Sequence, residues 1–384
     1  MITKYLALPG PTDVNPDVML EISKPIFNHR NVIFKELLER VTEKTQKLLG
    51  TNNEVYFLTA SGTGAMECAI VNTLSKNDKV LALINGSFGQ RFADIAKQYG
   101  ADVIEFHGEW GKGFELEKLK KVIDELGDNL KGITVVHCET STGVLNDIQS
   151  ISKLRCSDKT LLLVDGISSI GAVKVEVDKW NIDVILTGSQ KVLALPPGLA
   201  IISFSSKAIK AYEESDMPKY YWDIGKYRKF YHEKRETPYT PAIPLFVGLL
   251  KQLEALEERG FDQEIKKHEK IAKMVRCAVR EMGLELLNDD KISANTVTPI
   301  KVPEGIDLKI MRKILLEKYS VDVAGGQGKL EGKIFRIGHL GNVEPLFIIS
   351  ILAALEMTLK EMGYDIEVGK GVKAAQEFWI NNLK

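Results

Sequence analysis

The sequence predicts an α/β protein: a large doubly wound domain built on a mostly parallel sheet, followed by a smaller C-terminal α+β domain. Three observations predict it. Between residues 54 and 205 short apolar runs alternate with amphipathic stretches. Several of those runs are apolar throughout, as strands covered on both faces must be. After about residue 260 the pattern becomes longer helices with single strands between them. At 384 residues the chain can bury a large core and more than one domain.

The strand candidates come in order as "EVYFLTA", "KVLALIN", "ADVIEF", "GITVVHC", "TLLLVD", "DVILTG" and "LAIISFS". Helical patterns such as "GAMECAIVNTL" and "FADIAKQYG" separate them, the second closing on a glycine as a helix C-cap does. Residues 206–240 break the rhythm. They are rich in Tyr, Lys and Glu and read as a long loop, with 219–231 either a partner-facing surface or a mobile loop. Helix resumes at "AIPLFVGLLKQLEALEERG", and helix, strand, helix, strand, helix is expected from 262 to the end. The division expected is an N-terminal arm over 1–20, a large domain over 21–260 and a small domain over 261–384.

Composition excludes several classes. Lys plus Arg is 51 and Asp plus Glu 52, so a net charge of −1 argues against a nucleic-acid-binding protein. No stretch approaches the roughly 18 consecutive apolar residues of a membrane span, and the first residues show no secretory pattern, so a cytoplasmic protein is expected. The four cysteines have no CxxC spacing and the six histidines no HExxH, so no metal is expected.

In an open α/β sheet ligands bind at the carboxyl ends of the strands. There the chain places Ser61-Gly62-Thr63-Gly64, Gly86-Ser87-Phe88-Gly89, Glu139-Thr140-Ser141-Thr142-Gly143, Asp165-Gly166-Ile167 and Gly188-Ser189-Gln190-Lys191. Each has an ordinary reading beside a functional one. The 61–64 turn is either a capped helix start or an anion pocket; its spacing fits neither a Walker loop nor a dinucleotide fingerprint. Asp165 closes a strand buried on both faces, so its partner is a nearby cation, backbone amides or a pyridinium nitrogen. Lys191 is either a solvated loop lysine or an amine whose pKa a cleft lowers. Together, phosphate donors, a flat aromatic, a buried acid and a single lysine fit pyridoxal 5'-phosphate better than other cofactors.

The motifs "LPGPTDVNPDV", "NHRNVIF", "SGTGAME", "NGSFGQRFADIAKQYG", "VHCETSTGV", "LLLVDGISSIG", "TGSQKVLALPPG" and "AGGQGKLEGKIFRIGHLG" run through the whole chain. In that order they resemble the class V, fold-type I pyridoxal-phosphate aminotransferases, specifically the serine–pyruvate/alanine–glyoxylate group. The resemblance implies an aspartate-aminotransferase-like fold, with Lys191 as the Schiff-base lysine and Asp165 as partner of the ring nitrogen. It implies that Ile167 packs on one ring face and Phe88, where many relatives have tryptophan, on the other. Ser61, Gly62, Thr63 and Gln190 would hold the phosphate, and Thr140 or Thr142 would lie near the ring. Arg336 would grip the substrate α-carboxylate, and Gly10, in the N-terminal arm, would line the substrate pocket.

It further implies a homodimer with the site at the interface, Thr237 and Thr240 reaching the neighbour's phosphate. The reaction implied is transamination between serine or alanine and glyoxylate or pyruvate, in amino acid metabolism. No second arginine is placed by motif for a distal carboxylate, although Arg30, Arg91 and His339 could serve. The alternatives are a 2-aminoethylphosphonate or phosphoserine aminotransferase, a lyase or cysteine desulfurase of the same fold, and a non-catalytic hydrogenase-associated subunit.

Overall fold

A computed structural model describes residues 5–382. The strands are β1 (Tyr5–Ala7), β2 (Glu54–Leu58), β3 (Lys79–Ile84), β4 (Asp102–His107), β5 (Leu130–Val136), β6 (Cys138–Glu139), β7 (Val144–Leu145), β8 (Leu161–Asp165), β9 (Val184–Gly188), β10 (Ala200–Phe204), β11 (Val297–Lys301), β12 (Val321–Gly325) and β13 (Ile334–Gly338). Seven form the large sheet in the order β2-β10-β9-β8-β5-β3-β4. All seven apolar runs named from sequence are its strands. β10 alone runs against the rest, pairing antiparallel with both β2 and β9. Strands β8 and β9 are buried along their whole length, the two-sided burial their composition predicts.

Helices cover both faces. One face carries α2 (Val32–Leu49) and the helix Ile243–Arg259, whose Phe34 and Phe246 meet edge-on at 5.5 Å. Burying each such ring contributes roughly 1.5–3 kcal/mol. Asn31 starts α2 by accepting the Phe34 N–H, and Gly50 ends it at φ +61°, a value that favours glycine. The other face carries α3 (Gly62–Thr73) and α4 (Ser87–Gln98), which continue directly from the turns after β2 and β3. Both helices therefore point their N-termini at the strand ends, where the site lies.

The smaller sheet has the order β1-β12-β13-β11. β1, at the start of the chain, pairs in parallel with β12, Tyr5 opposite Val321. The expected helix–strand alternation after 262 is incomplete in two places. A glycine-rich turn folds β13 back antiparallel on β12, and two helices, Pro345–Glu361 and Lys370–Asn381, close the chain instead of one. The helix Ile243–Arg259 gives way to Phe261–Glu281 at Gly260, φ +86°.

Residues 206–240 are not a long loop. They hold two helices, Ser206–Glu214 and Ile224–Lys234, N-capped by Ser205 and Asp223. Aromatic packing orders the segment between and after them. Tyr221 stacks on Tyr239 at 5.0 Å and 13°, and Trp222 Nε1 donates to Glu67 at 3.1 Å. Tyrosines and cations spread all round Ile224–Lys234 blur the apolar stripe by which a helix is recognised.

Candidate active site

The adjacent parallel strands β8 and β9 present the two central residues. Asp165, last in β8, is 3 % exposed. Its Oδ1 accepts the Ile167 N–H at 2.8 Å, and Oδ2 has no protein hydrogen bond among the described residues. Burial pushes the carboxyl up to about 7; the Ile167 N–H and the Lys191 charge oppose the rise, and the neighbouring Glu139 adds to it.

Lys191 follows β9 in a turn pinned by Ser189. The Ser189 N–H donates to Leu199 O at 2.8 Å, its Oγ donates to Pro196 O at 2.7 Å, and its carbonyl accepts the Leu195 N–H at 3.0 Å. The apolar residues Val192, Leu193 and Leu195 are buried and anchor the turn from the far side. The Lys191 ammonium donates to the Pro9 carbonyl, and Thr12 Oγ1 donates to the Lys191 carbonyl at 3.0 Å. Gly10 passes so close that a Cβ there would lie 2.5 Å from Lys191 Cδ. Burial lowers the amine's pKa to about 8; Arg336 and Arg91 act in the same direction, Cys138 and Asp165 against it. The amine therefore keeps a neutral fraction at neutral pH, and Asp165 is near enough for each charge to influence the other.

The start of α3 offers groups that suit a phosphate-sized anion. Ser61, the N-cap of α3, makes no side-chain capping bond, so the first N–H groups of that helix are available to an anion. The Gln190 Oε1 is buried without a partner, and a half-turn of the amide exchanges that acceptor for two donors. Thr63 Oγ1 accepts from Arg91 Nη1 at 3.3 Å. Gly62 leaves room for Ile167, whose Cδ1 would lie 2.3 Å from a Cβ. Uncapped amides, hydroxyls, an orphaned buried amide and a nearby guanidinium fit a phosphate ester; the buried acid and the amine fit a pyridine ring bearing an aldehyde.

Phe88 is placed by Glu139, a residue quoted in the sequence reading but given no role there. Glu139 is fully buried and accepts the N–H groups of Phe88 at 3.1 Å, Gly89 at 2.9 Å and Ser141 at 3.1 Å, together with the Ser141 hydroxyl. It thereby caps α4. Gly86 is required opposite it, because a Cβ there would lie 2.3 Å from the Glu139 carboxyl carbon. The signal that could have found Glu139 is the one used for Asp165: a carboxylate at the end of a buried strand.

Arg336, in the middle of β13, is 4 % exposed. Its Nε and Nη2 donate to Gly325 O at 2.9 and 2.7 Å, and its Nη1 donates to Thr140 O at 2.9 Å. It therefore joins the small sheet to the strand ends of the large one. Burial lowers its pKa to about 10, so it stays a cation at neutral pH. The Thr140 hydroxyl donates to Ser168 Oγ at 2.6 Å, whereas Thr142 turns to the Asn85 carbonyl at 3.3 Å. Of the two, Thr140 is tied to Arg336 through its carbonyl and to Ser168, three residues beyond Asp165, through its hydroxyl.

Two expected residues stand apart from these contacts. The Thr237 hydroxyl donates to Tyr239 O at 2.8 Å, and Thr240 is exposed. Arg30 and His339, considered for a distal carboxylate, are committed elsewhere. Arg30 pairs with Glu236 at 2.6 Å, and both ring nitrogens of His339 are bonded, to Thr298 and to the Asn295 carbonyl. The Cys138 thiol is pushed by burial up to about 12 and contacts Thr296, which disfavours it as a nucleophile. Among the described residues no group of three His, Cys, Asp or Glu could hold a metal ion.

Comparison with known proteins agrees with this chemistry. The model of the family "Aminotransferase class-V" matches residues 23–330. A serine–glyoxylate aminotransferase of Arabidopsis thaliana is 37% identical, covering 99% of this chain and 96% of its own. The small subunit of a soluble hydrogenase of Synechococcus sp. is 38% identical, covering 96% of this chain and 97% of its own. The crystal structure of ureidoglycine–glyoxylate aminotransferase from Bacillus subtilis superposes with a TM-score of 0.95 at 29% identity, over 99% of this chain and 98% of that one. The chain thus belongs to the class-V aminotransferases, enzymes of fold type I that use pyridoxal phosphate.

Proposed function

We propose that the protein transfers the amino group of a small amino acid, serine or alanine, to a small 2-oxo acid, glyoxylate or pyruvate. The observation that carries this reading is the convergence of Lys191, Asp165, the α3 N-terminus and Arg336 on one set of strand ends. Bound pyridoxal phosphate supplies the aldehyde that accepts the amino group and the electron sink that makes Cα–H acidic. The protein's residues do the rest. Asp165 Oδ2 holds the proton at the ring nitrogen. Ser61, Gly62, Thr63 and Gln190 bind the phosphate, while Phe88 and Ile167 fix the ring plane. Arg336 orients the substrate through its carboxylate, for which a planar guanidinium is suited. Lys191 Nζ then takes the proton from Cα and hands it on, its lowered pKa keeping a neutral fraction available.

Small substrates are favoured because Arg30 pairs with a carboxylate, His339 has both ring nitrogens bonded, and Arg91 is engaged with Phe88 and Thr63. A homodimer in the cytoplasm is part of the proposal, with Thr237 and Thr240 offered to the partner's phosphate. Its support is the run of exposed apolar side chains Leu20, Ile26, Val32 and Ile33, close together in sequence, as an interaction surface presents. Among the described residues no helix is long and apolar enough to cross a membrane.

The second reading, a non-catalytic subunit, is motivated by the hydrogenase-named relative; the buried Asp165 and the low-pKa amine of Lys191 speak against a scaffold. One experiment separates the two. The purified protein loaded with pyridoxal phosphate is expected to be yellow, and its absorption band to shift on adding L-serine or L-alanine. A protein that shows no such band, or whose Lys191→Ala variant behaves identically, is not this enzyme.

A further inference from the structure

We propose that Arg91 is a cofactor-positioning residue, which backs the outer face of Phe88 and supplies positive charge to the turn that receives the phosphate. The inference rests on the cofactor reading above and gives a cofactor-side role to a residue weighed from the sequence only for a distal carboxylate. Arg91 lies three residues after Phe88 on α4, so the two side chains share one face of the helix. Its guanidinium carbon is 4.8 Å from the Phe88 ring centroid, within cation–π range. From there Nη1 reaches Thr63 Oγ1 at 3.3 Å, in the first turn of α3. One side chain thus bridges the helix that bears the stacking ring and the helix whose N-terminus is open to an anion.

Arg91 has no carboxylate partner among the described residues. Thr63, which it reaches, belongs to the uncapped Ser61 turn, and the partnerless Gln190 Oε1 and the Gly62 N–H lie against the same Gly188. A dianionic phosphate there would answer the excess positive charge. With one face of the Phe88 ring against Arg91, the opposite face would be the one to meet a pyridine ring, and the guanidinium would polarise the ring and limit its tilt.

The test is equilibrium binding to the cofactor-free protein, with pyridoxal phosphate and with pyridoxal, which lacks the phosphate. Wild type, Arg91→Met and Arg91→Lys are compared, with circular dichroism confirming that each is folded. For Arg91→Met the Kd of pyridoxal phosphate is expected to rise about tenfold, equivalent to about 1.4 kcal/mol, with that of pyridoxal much less affected. Arg91→Lys should recover part of the loss, and the steep salt dependence of the wild-type Kd should flatten in Arg91→Met. Unchanged affinity in Arg91→Met, or equal losses for the two ligands, overturns the proposal. A wild type that binds neither ligand overturns the cofactor reading instead.

Discussion

The backbone of Gly10 lies directly against the aliphatic stem of Lys191, close enough that any Cβ would come within 2.5 Å of Cδ. The same glycine has φ +111°, which L side chains rarely adopt. Gly10→Ala should therefore displace the lysine rather than unfold the protein, since the conflict is with a side-chain stem. The expected outcome is a native far-ultraviolet spectrum with a weakened or absent cofactor band, measured on the loaded protein. A variant that loads cofactor as the wild type does would show that Lys191 has other room.

Asp165→Asn should separate stability from function. In the cofactor-free protein the folded carboxyl titrates near 7 against an ordinary value of 3.8, so the folded state holds a proton that the unfolded chain has released. Its contribution is therefore favourable below about pH 4 and is lost as pH rises through 7. The uncharged amide removes that loss, and Asp165→Asn is expected to be more stable at pH 8 by roughly 1–4 kcal/mol in urea unfolding. It should have almost no transaminase activity.

Acid should destabilise the fold through its buried histidines. Burial pushes His137 down to about 4 and His339 down to about 3 from an ordinary 6.5. Below pH 6.5 the unfolded chain takes up protons that these rings refuse, so their favourable contribution is complete above 6.5 and falls away toward 4. Each costs about 1.4 kcal/mol per pH unit in that window. Melting temperatures at pH 7 and pH 5 should differ accordingly, and His339→Gln should shrink the difference if it folds.

Arg336→Lys keeps the charge but loses the fork that reaches both Gly325 and Thr140. A loss of roughly 1.5–3 kcal/mol in carboxylate binding is expected, tenfold to a hundredfold in KM for both the amino acid and the oxo acid. An effect on kcat alone would argue that the arginine meets the substrate only during the reaction.

Glu139→Gln replaces an acceptor that serves three N–H groups with one that has a single oxygen. A destabilisation of about 1–3 kcal/mol is expected, together with a looser Phe88, visible as a weaker near-ultraviolet signal of the bound cofactor. Glu139→Asp, which keeps both oxygens, should recover part of each.

The seven strands of the large sheet were legible because two-sided burial writes itself as unbroken apolar runs, as in "LLLVD". Lys191 and Asp165 were legible because polar residues at the ends of such runs stand out. The helix Ile224–Lys234 was not, since tyrosines and cations surround it and it packs on an aromatic distant in sequence, Tyr56 against its Tyr227. Strand β1 was equally hidden, three residues whose pairing partner lies at Val321–Val323. Glu139 escaped assignment, and Arg91 was weighed only for a distal carboxylate, for a related reason: each touches Phe88, and only the fold shows who touches whom.

Strand β1 also sets an order of events. Pro9 and Gly10, the second and third residues after it, carry the carbonyl and the glycine that confine Lys191, yet β1 has no edge to dock on until Val321–Val323 exists. A nascent chain emerging from the ribosome could thus assemble the large sheet, lysine included, well before the lysine's surroundings are complete. Its first residues must wait for its last quarter, and until then the amine remains an ordinary exposed base. The lowered basicity of Lys191 is in that sense a property of the finished chain rather than of the large sheet alone.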